Sequence, residues 1–101
     1  MPERITDRPG RPPYRLRLFV AGDAPNSRIA RENLRRLVER SAGVTVEITI
    51  VDVLKDPQTA LAQGVFLTPA LQRLGPGPET MIFGNLSNTD LLATLLVEDG
   101  E

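Results

Sequence analysis

Residues 14–21, YRLRLFVA, and residues 44–53, VTVEITIVDV, decide the fold. In the first, Tyr14, Leu16, Leu18 and Val20 alternate with Arg15 and Arg17 until Phe19 makes both faces apolar, the pattern of a strand entering a core. In the second, Val44, Val46, Ile48 and Ile50 alternate with Thr45, Glu47 and Thr49 before Val51 and Val53 turn the second face apolar. Strands buried on both faces belong to sheets covered by helices.

The intervening residues supply one such helix. Gly22, Asp23, Pro25, Asn26 and Ser27 break the first strand, and Asn26 or Ser27 is placed to cap a helix running to about Ser41,. Ala30, Leu34, Leu37 and Val38 form its apolar stripe, Glu32 with Arg36 and Arg35 with Glu39 stand at ion-pair spacing, and Gly43 stops it,. Strand, helix and strand in this order predict a right-handed βαβ unit with parallel strands.

Beyond Val53, Asp56 is expected to cap a short helix that starts at Pro57 and ends at Gly64,. VFLTPAL and ETMIF read as two strands of a hairpin across Gly75-Pro76-Gly77-Pro78,. Ser87 or Asn88 caps a last helix with Leu91, Leu92, Leu95 and Leu96 on one side,. The expected order is βαβαββα, an α/β domain of thioredoxin-like arrangement over residues 14–97. Residues 1–13, rich in proline, glycine and charge, are expected as a flexible tail, and residues 98–101 as an acidic, frayed end.

The chain holds 101 residues, 41% of them apolar, enough for one core,. It contains neither Cys nor His. Disulfides, thiolate nucleophiles and Cys-based zinc sites are therefore excluded, and the cytoplasm is the expected compartment. Residues 1–13 have no apolar signal region, and no apolar run approaches a membrane span,.

Charge is uneven. Residues 1–43 carry ten Arg against five acids, while residues 44–101 carry Lys55 and Arg73 against eight acids. This asymmetry fits either solvated helix faces or docking on charged partners, including a second copy in a dimer or tetramer. Nucleic acid is not expected, because the four aromatics Tyr14, Phe19, Phe66 and Phe83 do not interleave with a basic patch,.

Catalysis finds little support. Asp23 to Ser27 occupies the corner where a redox member of such a fold would carry its two cysteines. Ser27 and Thr68 are the hydroxyls that could act as nucleophiles, and no His exists to activate either,. Asp52, Asp56 and Asp90 match no calcium-loop spacing and read as loop and cap acids. Neither a metal nor a cofactor is expected, and the chain reads as a protein that binds other proteins.

YRLRLFVAGDAPNS (14–27), VDVLKDPQ (51–58), LTPAL (67–71), PGP (76–78) and IFGNLSN (82–88), in this order and spacing, resemble the bacterial circadian-clock KaiB family over about residues 14–96. The resemblance implies a non-enzymatic protein that binds a KaiC-type hexameric ATPase in a clock, timer or stress pathway. It also implies a metamorphic chain: a ground state, often tetrameric, with a rearranged C-terminal half, and a thioredoxin-like state that binds the ATPase. Arg73, Lys55 and Asp56 are the candidate partner-binding residues. A thioredoxin-like sensor or adaptor module without redox activity, as in a clock histidine kinase, is the alternative.

Thr68-Pro69, where thioredoxin-like folds carry a cis proline, and Pro76 and Pro78 are the candidates for slow switching, since proline isomerisation takes on the order of tens of seconds. The family's run of three prolines is here Pro76-Gly77-Pro78, and basic residues common in the family are replaced by Thr49, Thr80 and Met81. These departures count against recruitment of KaiA or a histidine kinase as further partners. Leu95 and Val97 stand where relatives often have Gly and Asp, and Leu in place of Gly favours helix by up to ~1 kcal/mol. That tilts the expectation toward the thioredoxin-like state, with the ground-state fold as the alternative.

Overall fold

The computed structural model describes residues 3–5, 13–41 and 43–96. One five-stranded sheet organises them. Its strands are β1 (Glu3–Ile5), β2 (Tyr14–Val20), β3 (Val46–Asp52), β4 (Ala70–Gly75) and β5 (Thr80–Phe83), and their spatial order is β1-β3-β2-β4-β5. The helices are α1 (Pro25–Arg40), α2 (Pro57–Ala62) and α3 (Thr89–Ala93), the last continued by a 3-10 turn over Thr94–Leu96.

Strands β2 and β3 run parallel in register from Tyr14 opposite Val46 to Val20 opposite Asp52, as the crossover through α1 predicts,. β4 is antiparallel to β2, and β5 antiparallel to β4. The central position of β2 explains why its residues are apolar on both faces. Leu16, Leu18 and Val20 join Ala30, Leu34, Leu37 and Val38 of α1 and Leu92, Leu95 and Leu96 in the larger cluster. Phe19 points the other way, to Ala60 of α2, Val65 and Ala70, with Val51, Val53 and Met81 around them.

Four expectations need correction. Residues 1–13 do not form a single featureless tail, because Glu3–Ile5 pair antiparallel with Val46–Ile48 along the outer edge of β3; three residues are too few to show a period-2 pattern. VFLTPAL is not one strand: β4 begins only at Ala70, since Pro69 has no N–H to donate to a ladder,. Neither Asn26 nor Ser27 caps α1, which starts at Pro25 behind Ala24 without a side-chain cap. Leu91 is 47% exposed rather than buried with Leu92, Leu95 and Leu96. It stands at the margin of their arc, and after one helical turn the 3-10 winding draws Leu95 and Leu96 inward,.

Other local readings are reproduced. Asp56 caps α2, its Oδ1 accepting from Thr59 N at 3.1 Å, and Asn88 caps α3 through Leu91 N at 3.0 Å. Arg35 pairs with Glu32 and Glu39, and Arg36 with Glu32 at 3.2 Å. Thr68-Pro69 is cis, as is Gly75-Pro76. The rest of the N-terminal segment apart from Pro13, Val97 and residues 98–101 lie outside the described residues.

Candidate functional site

Strand register gathers the loops that matter at one end of the sheet. Val20 is opposite Asp52, Phe19 opposite Ala70, and Ala70 opposite Phe83. The segments Ala21–Ala24, Val53–Asp56 and Phe66–Pro69 therefore meet beyond the same strand ends. In thioredoxin-like proteins this is the reactive corner.

Here the corner is held by oxygen acceptors. After β2 ends, Ala21 N donates to Ser27 Oγ at 3.0 Å, so the buried Ser27 hydroxyl serves the incoming chain instead of capping α1. Asp52 Oδ1 accepts from Leu54 N and from Gly22 N, each at 3.0 Å. These two N–H groups, Leu54 first, hold the Asp52 carboxyl below the usual carboxylate range,. Gly22 takes φ +54°, and a Cβ there would stand 3.3 Å from Leu54 Cδ1, so turn and cradle close against each other,.

The residues singled out from the sequence have unequal surroundings. Lys55 is exposed beside this cradle. Asp56 is exposed but engaged, with Oδ2 accepting from Thr59 Oγ1 at 2.7 Å, and the Thr59 hydroxyl and backbone N–H lower its pKa. Arg73, on β4, is turned inward: Nη1 donates to Leu95 O at 3.0 Å and Nη2 to Pro78 O at 3.0 Å and Thr80 Oγ1 at 3.4 Å. It ties the last turn and the β4–β5 loop to the sheet. Arg73 therefore lies apart from Lys55 and Asp56, toward the other end of the strands. Thr68 is half-buried and Pro69 buried, while Pro76 and Pro78 flank the opposite hairpin turn. Leu95 is buried in the larger cluster.

The chief feature of the corner is apolar and escaped the sequence reading. Leu54, Phe66 and Leu67 are 72%, 79% and 67% exposed, with Leu61 on α2 and Phe83 on β5 also in solvent. Phe66 and Leu67 look like core residues when VFLTPAL is read as a strand. The signal against that reading is Pro69, which delays the strand until Ala70. Isolated exposed apolar side chains are ordinary; here Leu54, Phe66 and Leu67 stand on loops at the same end of the sheet,.

Chemically the corner offers main-chain donors already satisfied by Asp52, a buried hydroxyl with no base, and an apolar rim. Among the described residues no group of three or more His, Cys, Asp or Glu side chains stands close enough to hold a metal ion, and no helix is long and apolar enough to cross a membrane. The class defined by sheet order and corner is a thioredoxin-like α/β domain whose reactive corner holds no thiol.

Comparison with known proteins agrees and is more specific. The KaiB domain model matches residues 17–97, and the chain belongs to the KaiB family. It is 39% identical over 77 residues to the circadian clock oscillator protein KaiB of Prochlorococcus marinus (strain MIT 9313), covering 76% of this chain and 65% of that relative's length. Against the KaiB of Thermostichus vulcanus it is 38% identical over 82 residues, covering 81% of this chain and 76% of the relative. The solution structure of the N-terminal domain of Synechococcus elongatus SasA superposes with a TM-score of 0.72 at 28% identity, over 91% of this chain and 87% of that one. Mitochondrial thioredoxin 3 of Saccharomyces cerevisiae (oxidized form) shares the fold, with a TM-score of 0.67 at 19% identity over 82% and 76% of the two chains.

Proposed function

We propose that this KaiB-family chain is a non-enzymatic binding protein that docks on a KaiC-type hexameric ATPase and modulates it in a clock, timer or stress pathway. The observation that carries this reading is the apolar rim of Leu54, Phe66 and Leu67 at a corner stripped of redox residues. Such a rim costs solubility when free and is recovered as contact area when a partner covers it. Lys55 and the Asp56 cap border the rim and complete the docking face with charge, while Arg73 acts from behind it by holding the C-terminal turn. In this reading the thioredoxin-like arrangement is the binding state. A second packing, with the half from Thr68 through Pro69, Pro76 and Pro78 to Leu95 and Val97 rearranged, exchanges with it.

The likeness to the SasA N-terminal domain favours one other reading, a sensor or adaptor module without redox activity. Size-exclusion chromatography with a KaiC-type ATPase, in ATP and in ADP, tests the first. A co-eluting complex in at least one nucleotide state is expected. No complex in either state rejects the proposal and leaves the adaptor reading.

A further inference from the structure

On the face of the sheet that carries α2, a notch of about 370 Å³ lies between the end of that helix and β5, lined by Ala62, Gln63, Gln72, Glu79, Thr80 and Met81. Its floor is Gln72, only 2% exposed. The Gln72 amide has one orientation that works. Nε2 donates to Glu79 Oε2 at 2.6 Å and to Gln63 Oε1 at 3.0 Å, and an ionised carboxylate accepts only, so the nitrogen must face Glu79,. Both amide hydrogens are thereby used.

The carbonyl oxygen Oε1 of Gln72 receives no donor from the protein. Buried acceptors are nearly always paired, and leaving one unpaired in a small sheet protein costs stability that an apolar side chain would not. The rim adds the exposed Glu79 carboxylate, of which only Oε2 has a described partner. The cations near it are directed elsewhere. Arg73, its neighbour on β4, alternates to the other face and is bonded to Leu95, Pro78 and Thr80,. Arg17, opposite Gln72 on β2 and on the same face, lies with its guanidinium carbon 6.0 Å from the centroid of the Phe19 ring, and Arg15 lies beside Gly75. The notch is thus rich in acceptors and short of donors. Met81 and Phe83 share this face of β5, so it is continuous with the apolar rim.

We propose that this notch receives an arginine side chain of the docked ATPase, with the guanidinium fork on Glu79 and one N–H directed at Gln72 Oε1. The proposal rests on the docking reading above. A guanidinium matches the need, because it is donor-only, planar, weakly hydrated and able to serve a carboxylate and an amide oxygen at once. An ammonium would pair with Glu79 as a point charge, without the fork.

Two experiments separate the proposal from the reading it rests on. In the first, the full chain labelled with nitrogen-15 is titrated with methylguanidinium chloride, using sodium chloride of equal ionic strength as control. Saturable shifts of the Gln72 and Gln63 side-chain amides are expected, absent with sodium chloride and absent in Glu79→Gln, which keeps an acceptor for Gln72. In the second, affinity for the ATPase is measured for the wild type, for Glu79→Gln and for Gln72→Met. Each variant should bind about tenfold more weakly, while Gln72→Met, relieved of the unpaired oxygen, should be no less stable than the wild type.

Equal affinity of Glu79→Gln and wild type for the ATPase overturns the notch while the docking reading stands. No ATPase binding by the wild type rejects the docking reading and the proposed occupant together. Shifts that sodium chloride reproduces show plain ionic screening and overturn the guanidinium site.

Discussion

Arg73 carries more of the fold than its place in a motif implies. Its guanidinium bonds two backbone carbonyls, Leu95 O and Pro78 O, that would otherwise need water, and it brings positive charge to the end of the last helical turn, where the peptide dipoles favour it,. Arg73→Leu should lower stability by about 2 kcal/mol, the scale of losing hydrogen bonds made by a charged donor. Urea unfolding will measure that loss, and hydrogen exchange should show Leu95 and Leu96 opening first. Unchanged exchange at those amides would mean that packing alone holds the turn. Asp52 makes a second residue-level prediction through pH. Its folded pKa lies below the unfolded value of about 3.9,, so its contribution is complete above that value and is lost as pH falls through the folded pKa. Asp52→Asn should therefore be least stable relative to wild type near neutral pH, and the gap should close on acidification below pH ~4.

The last helix belongs to the half that the proposed second packing would rearrange, and its own residues favour helix,. Leu95 fills the core at 1% exposure. Leu95→Gly removes a buried side chain and introduces glycine's backbone freedom, so a loss of about 3 kcal/mol is expected from the two effects together. Backbone chemical shifts of residues 88–96 will show whether the segment stays helical, frays or becomes extended; an unaltered helix and unaltered stability would contradict the account. Elements with a long period were legible from the residues alone: β2, β3 and α1 are where alternation and the Ala30-Leu34-Leu37-Val38 stripe put them. Caps were legible where one residue suffices, at Asp56 and Asn88, but not at Ser27, whose hydroxyl answers to Ala21 just past the preceding strand. β1 was invisible because its reason to form is the open edge of β3. The notch depends on the hairpin register that sets Gln72 opposite Met81, which no local pattern encodes.

At the scale of the molecule, the corner and its rim separate stability from binding. The sheet is covered by α1 and α3 on one face and α2 on the other, so the core owes nothing to Phe66 or Leu67, whose side chains stand mostly in water. Replacing both, as Phe66→Ser with Leu67→Ser, should leave urea stability within about 0.5 kcal/mol of wild type. The same pair lies at the centre of the proposed docking face, where burying two large apolar side chains ranks with interface hot spots; removing them should weaken the ATPase complex by at least about thirtyfold. A charge change on the far helix, Arg40→Glu, provides the control, since α1 packs on the opposite face. Equilibrium binding to an immobilised ATPase hexamer, run beside unfolding curves for all three proteins, decides the matter. If the double variant binds like wild type, the partner meets another face. If Arg40→Glu is the variant that loses binding, the basic helix is that face, and the charge asymmetry between the two halves of the chain steers docking in place of the apolar rim.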